Sequence, residues 1–189
     1  MSYPWNNVQN LISLKADGTG DVLRFEVGAE QVEVHLQNGS IHNVVHSLHG
    51  RVTRLDSSTV HSIVVGEGNA QRDVHHYLIP NGPSPWLRLG ITHHRGFGTW
   101  SSLPHPFELH GEPGFEEVFF YLLKGESQRA VQVGRGVWCD GSNVDCVWPV
   151  KDRTWSVIPM GYHPVVGEPG VHVSYVWAYL AKKTEWEKI

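Results

Sequence analysis

Helical periodicity is almost missing from this chain of 189 residues. Long apolar runs are missing too. Val118 to Leu123, one of the longest, is far short of the about 20 residues that span a bilayer as a helix, so no membrane partner is expected. Basic clusters are absent: Lys182-Lys183 is the only adjacent basic pair, the net charge is −4, and the sequence pI is near 6.3. That balance argues against nucleic acid as a partner. Cysteine is scarce, with two in the chain. Cys139 and Cys146 flank a turn-rich stretch, lack the spacing of a zinc pair, and read as reduced core thiols. The start, Met1-Ser2-Tyr3-Pro4-Trp5-Asn6, has neither a charged n-region nor an apolar h-region. A secretory signal is therefore not expected, and the expected location is cytoplasmic.

What is abundant is glycine (20), proline (11), tryptophan (8) and histidine (13). Glycine and proline at that density fit many short strands joined by tight turns. Val32, Val34 and Leu36 alternate with Glu33 and His35, then Asn38-Gly39 precedes Ile41–Val45. An Asn-Gly step between alternating runs predicts a hairpin. Further strands are predicted at Val22–Val27, Val52–Leu55, Val60–Val65, Leu87–Thr92, Val118–Leu123, Ala130–Val133, Cys146–Val150, Trp155–Ile158 and Val171–Ala178. Turn signals separate them at the spacing of an all-β sandwich or barrel. Helix is expected only at Trp5–Lys15 and in the tail Ala181–Ile189. Gly66-Glu67-Gly68-Asn69-Ala70 suggests a boundary, with a β-rich segment over 1–68 packing on a second unit over 69–189. About sixty-five residues make a marginal separate core.

Chemistry gathers in the second unit. Pro159-Met160-Gly161-Tyr162-His163-Pro164 reads as a turn that presents His163 just past the strand Trp155–Ile158. Glu116-Glu117 opens the strand Val118–Leu123, and His105 and His110 stand shortly before it. Imidazoles with one carboxylate at strand ends can hold a divalent metal with an open position, and the set suits Zn, Mn, Fe or Ni alike. The expected ligands are His105, His110, Glu117 and His163, with Glu108 as an alternative. Glu108 or Glu116 are candidate bases, and Tyr162 a candidate donor to a developing oxyanion. Trp100, Phe107, Tyr121, Tyr162 and Trp177 are aromatic faces for a sugar, although tryptophan also fills β cores. Arg95, Arg129 and Arg153 are cations for an anionic substrate. His75-His76 and His93-His94 are expected to be structural or to support the site from behind. Within a strand the two rings of each pair face opposite sides.

Four segments resemble one family in order and spacing: Gln71–Pro80, Gly98–Pro104, Glu116–Tyr121 and Val157–Val165. Together, over residues 69–181, they are similar to the C-terminal half of 5-deoxy-glucuronate isomerases, which belong with the 5-keto-4-deoxyuronate isomerases among the cupins. The resemblance implies an all-β, RmlC-like jelly-roll barrel with extra N-terminal strands and a bound divalent metal. It also implies aldose–ketose isomerisation of a uronic-acid-type sugar in inositol or uronate catabolism. Glu117 matches the family's ligand Glu, and His163 the ligand His of its Gly-Tyr-His-Pro segment. Where the family has two histidines one residue apart, this chain reads His105-Pro106-Phe107-Glu108-Leu109-His110. Met160 stands where Arg is common. Those departures keep two other readings open: a non-catalytic carbohydrate-binding or assembly cupin, and a metal-dependent cupin oxygenase or lyase. A homodimer is expected, since barrels of this kind cover their sheet edges by pairing.

Overall fold

The computed structural model describes residues 8–100, 116–138 and 140–180, and nearly all of its regular structure is strand. The strands are β1 (Lys15–Asp17), β2 (Val22–Val27), β3 (Glu30–Gln37), β4 (Ser40–Leu48), β5 (Arg51–Asp56), β6 (His61–Val65), β7 (Arg72–Leu78) and β8 (Leu87–Phe97). Then follow β9 (Glu117–Lys124), β10 (Arg129–Val137), β11 (Asn143–Lys151), β12 (Trp155–Ile158), β13 (Met160–Tyr162), β14 (Val165–Gly167) and β15 (His172–Leu180). They build three sheets. The N-terminal one runs β1-β2-β3-β4-β5, the middle one β12-β9-β15-β8-β7-β6, and the third β11-β10-β13 with β14 also on β10.

The centre of the middle sheet is buried on both faces, which is why β9 and β15 read as unbroken apolar runs rather than alternating ones. Val118, Phe120 and Leu122, with Leu78, Leu89, Ile91 and Val176, pack against Leu23, Phe25, Val32 and Val34 of the N-terminal sheet. Phe119, Tyr121 and Leu123, with Tyr175 and Trp177, face Ala130, Trp148, Val150 and Val165 of the third. Each large side chain sealed in these layers contributes roughly 1.5–3 kcal/mol. The middle and third sheets thus enclose a barrel interior, while the N-terminal sheet covers the barrel's other wall. β6, which precedes the sequence boundary at Gly66–Ala70, is the edge strand of the middle sheet.

The expected strands Val22–Val27 and Trp155–Ile158 appear with those bounds. The Asn38-Gly39 hairpin joins β3 to β4 with both residues at positive φ (56° and 80°), as a tight two-residue turn requires. Two expectations need correction. The helix over Trp5–Lys15 is not formed in its described part: Val8–Asn10 is a short 3-10 turn and Lys15 already opens β1. The amides of Ile12, Ser13 and Leu14 donate to the Glu116 carboxylate, more than 100 residues away, instead of to carbonyls one turn back. The tail Ala181–Ile189 lies outside the described residues.

The segment Pro159–Tyr162 is not a turn. The chain stays extended and changes sheets at Pro159: β12 pairs with β9, and β13 with β10. Proline, which has no N–H to give a ladder, suits that seam. Gly161 sits at φ +114°, and a Cβ there would lie 2.6 Å from the Arg135 carbonyl oxygen, so only glycine lets β13 approach β10 this closely. Among the described residues, no helix is long and apolar enough to cross a membrane.

Candidate functional site

Period-two alternation along β9 sets Glu117, Phe119, Tyr121 and Leu123 on the barrel-facing side. His163 follows β13, on the third sheet. Carboxylate and imidazole therefore arrive from two different sheets, and Glu117 Oε2 stands 3.6 Å from His163 Nε2. Both residues are buried, with 4% and 2% of their surface exposed. Lost hydration pushes the Glu117 carboxyl well above the usual carboxylate range, and among the described residues none hydrogen-bonds its Oε2.

The surroundings are aromatic. Phe119 meets the His163 ring edge-on at 5.8 Å and stacks on Tyr175 at 4.3 Å. His76 lies edge-on to Trp177 at 5.2 Å. That indole occupies the space over Gly90, where a Cβ would lie 2.3 Å from its ring.

A buried carboxylate beside an imidazole, with one oxygen that no described residue hydrogen-bonds, suits a divalent cation. The charge compensates the carboxylate, and both donors are types that Zn, Mn, Fe and Ni accept. Two donors each about 2.1 Å from one tetrahedral ion lie about 3.4 Å apart, close to the observed span. The pair fits part of a coordination shell. Among the described residues no group of three or more His, Cys, Asp or Glu side chains gathers. His105, His110 and Glu108 lie outside the described residues.

The other expected site residues are placed elsewhere. Glu116 is buried on the opposite side of β9, and its two oxygens accept four hydrogen bonds from the backbone amides of Ile12, Ser13 and Leu14. It ties down the N-terminal segment and cannot serve as a base at Glu117. Tyr162, one residue before His163, pairs with exposed Arg135 on the outer face of the third sheet, where its hydroxyl accepts a hydrogen bond from Trp100 Nε1. Both rings are thus outside the barrel. Tyr121 is fully buried, with its hydroxyl donating to Gln132 Oε1 at 2.8 Å, so a substrate cannot reach it. Arg95 forms a two-pronged ion pair with Asp73, at 2.7 and 3.0 Å. Arg153 pairs with Asp21 of the N-terminal segment at 3.0 Å. Neither arginine faces Glu117.

The interior holds two polar residues that motif reading passed over, Gln132 and Ser156, and one member of each histidine pair expected to be structural or supporting, His76 and His94. Alternation is the signal that finds them. Gln132 shares the inward face with Ala130, and His76 and His94 share theirs with Val74 and Thr92. Burial pushes His76 down to about 4 and His94 to about 3, while His93, on the other face, is also pushed to about 4 by burial. These imidazoles are neutral in the fold, whereas in the unfolded chain they take up a proton near 6.5. Their stabilising contribution is complete above that value and is lost as pH falls toward 4 and 3. Urea midpoints measured from pH 7 to 4 should fall. His94→Gln should flatten the slope by up to about 1.4 kcal/mol per pH unit. An unchanged slope would mean that His94 is protonated in the fold.

Three comparisons bear on this geometry. The family model for the KduI/IolB family matches residues 19–189. The chain is 29% identical over 126 residues to a 5-deoxy-glucuronate isomerase of Geobacillus thermodenitrificans, covering 65% of this chain and 44% of that protein. It is 33% identical over 113 residues to one of Halalkalibacterium halodurans, covering 58% and 41%. The chain thus spans less than half the length of these curated relatives. Among solved structures, an IolB-like protein from Salmonella typhimurium LT2 superposes with a TM-score of 0.61 at 22% identity, over 93% of this chain and 74% of that one. The likeness is one of fold: an all-β, cupin-type barrel carrying extra N-terminal strands.

Proposed function

The chain belongs to the KduI/IolB family, and from that premise we propose that it is a metal-dependent aldose–ketose isomerase acting on a uronic-acid-type sugar. The observation that carries the reading is the buried Glu117–His163 pair, brought together from two sheets inside the barrel. The names of its relatives supply the substrate class. Glu117 and His163 would hold a divalent cation, with His105 and His110 proposed as the remaining ligands. When bound, the cation supplies Lewis-acid polarisation of a carbonyl, an effect of several kcal/mol.

The protein's own side chains do the rest. Isomerisation moves a proton between neighbouring carbons, so a base must take it from one and return it to the next. We assign that task to Glu108, because the Glu116 carboxylate is consumed by backbone amides. Phe119, Tyr175 and Trp177 wall the interior with apolar surface, which strengthens charge interactions there. The cytoplasm is the proposed location. The exposed edge strand β6, with Ile63 and Val64 uncovered, favours a homodimer.

The test is elemental analysis of protein purified without a histidine tag, followed by turnover assays on uronates and related sugar acids. One equivalent of metal with aldose–ketose conversion supports the assignment. Protein that stays metal-free after incubation with Mn, Zn, Fe and Ni would overturn it.

A further inference from the structure

Between Glu117 and His163 runs a second connection, built from side chains that no part of the isomerase reading uses. We propose that Tyr121 and Gln132 form a strut across the barrel that positions the His163 segment against the strand carrying Glu117. The proposal rests on the metal-centre reading for its purpose, but its geometry stands on its own.

Gln132 is fully buried on β10. Its Oε1 accepts the Tyr121 hydroxyl at 2.8 Å, and its Nε2 donates to the carbonyls of His163 at 2.7 Å, Val133 at 3.0 Å and Pro164 at 3.1 Å. The Val133 amide also donates to the Pro164 carbonyl at 2.9 Å, so the contact that only the side chain supplies in this stretch, among the described residues, is the one to the His163 carbonyl. β10 pairs with β13 as far as Tyr162 and with β14 from Val165, and between them lie His163 and Pro164, outside both strands. Proline has no amide to donate. The Gln132 amide thus supplies donors at the residue whose imidazole meets Glu117. At its other end the strut joins β9, since Tyr121 sits on the barrel-facing side four residues after Glu117. Ser156 of β12 also hydrogen-bonds the Tyr121 side chain and accepts the Trp148 Nε1–H at 3.0 Å.

An apolar pair could fill the same volume, but it would not fix a direction. One accepted bond at Oε1, and two N–H groups at Nε2 shared among three carbonyls, set the orientation of this buried amide, and with it the His163 backbone from which the imidazole projects. Tyr121 and Gln132 are positioning residues: their effect on a cation would pass through His163.

Tyr121→Phe removes one hydroxyl and keeps the ring. The experiment compares wild type, Tyr121→Phe, Gln132→Leu and Leu89→Val, the last a control in the layer on the far side of the middle sheet. Co(II) is the probe. Tyr121→Phe should weaken Co(II) binding about tenfold and change the visible band of the bound ion. Leu89→Val should leave both as in wild type even where it lowers the melting temperature. A second readout needs no metal: the His163 ring signals of the metal-free protein, followed by NMR, should shift in Tyr121→Phe and not in Leu89→Val.

Should Gln132→Leu fail to fold, Tyr121→Phe decides alone. Wild type that takes up no Co(II) overturns the metal-centre reading, and the ring signals then decide the strut. Tyr121→Phe with wild-type His163 signals overturns the strut.

Discussion

Glu117→Gln should abolish cation uptake while leaving a folded protein. The substitution keeps the shape of the side chain and removes the charge that a buried ion needs as its counterpart. Loss of an outer-shell partner already costs 10–100-fold in metal affinity, so loss of a direct ligand should cost at least about 100-fold, with turnover falling alongside. Isothermal titration with Zn or Mn, together with the sugar-acid assay, checks both. Full affinity in the variant would remove Glu117 from the site.

The metal-free protein gives an independent reading of the same residue. Burial raises the Glu117 carboxyl above its ordinary value of 4.5, so the folded state holds that proton more tightly than the unfolded chain does. The associated stability is complete below about 4.5 and is lost as pH rises toward the raised value. Without metal, Glu117→Gln should therefore match wild type near pH 4.5 and exceed it at pH 8. Added cation should then restore the wild type and leave the variant unmoved. Thermal scans at the two pH values, with and without Zn, measure this directly.

Glu116→Ala should do the opposite: keep the chemistry and lose the fold's hold on its N-terminal segment. Its carboxylate accepts four hydrogen bonds from three consecutive amides, and it is 2% exposed. Removing it strands those donors. At about 1–3 kcal/mol per unsatisfied buried group, the loss should be about 2–4 kcal/mol, discounted for the exposure of Ile12 and Ser13. In a chain of this length that amounts to a fall of roughly 10 °C in melting temperature. Turnover per folded molecule at low temperature should persist. A variant with wild-type stability and no turnover would instead make Glu116 the base.

Those two adjacent carboxylates mark the limit of what the sequence tells. Their opposite facing was legible from strand alternation alone. Which one enters the barrel was not, because β9 is apolar on both sides and either face could have been the interior. The hairpin at Asn38-Gly39 and strands such as Val22–Val27 were legible because local alternation and turn chemistry determine them. Tyr162 was legible in principle: one residue from His163 in extended chain, it has to point the other way. Arg95 and Arg153 were not, since their partners Asp73 and Asp21 lie 22 and 132 residues distant and nothing local announces them. The N-terminal stretch looked helical for the same reason, its amides being claimed by a carboxylate from the far half of the chain. Pro159 looked like a turn because sequence records the proline but not the exchange of sheets around it.

One feature of the architecture constrains any attempt to dissect this protein. Apart from its exposed edge β6, the six-stranded layer is covered on both sides, so the first five strands act as its lid as well as its leading segment. A shortened chain starting after β5 would leave Leu78, Leu89, Ile91, Phe120 and Val176 as one bare greasy wall. Such a fragment, even with every catalytic candidate intact, would clump in solution before it could be assayed.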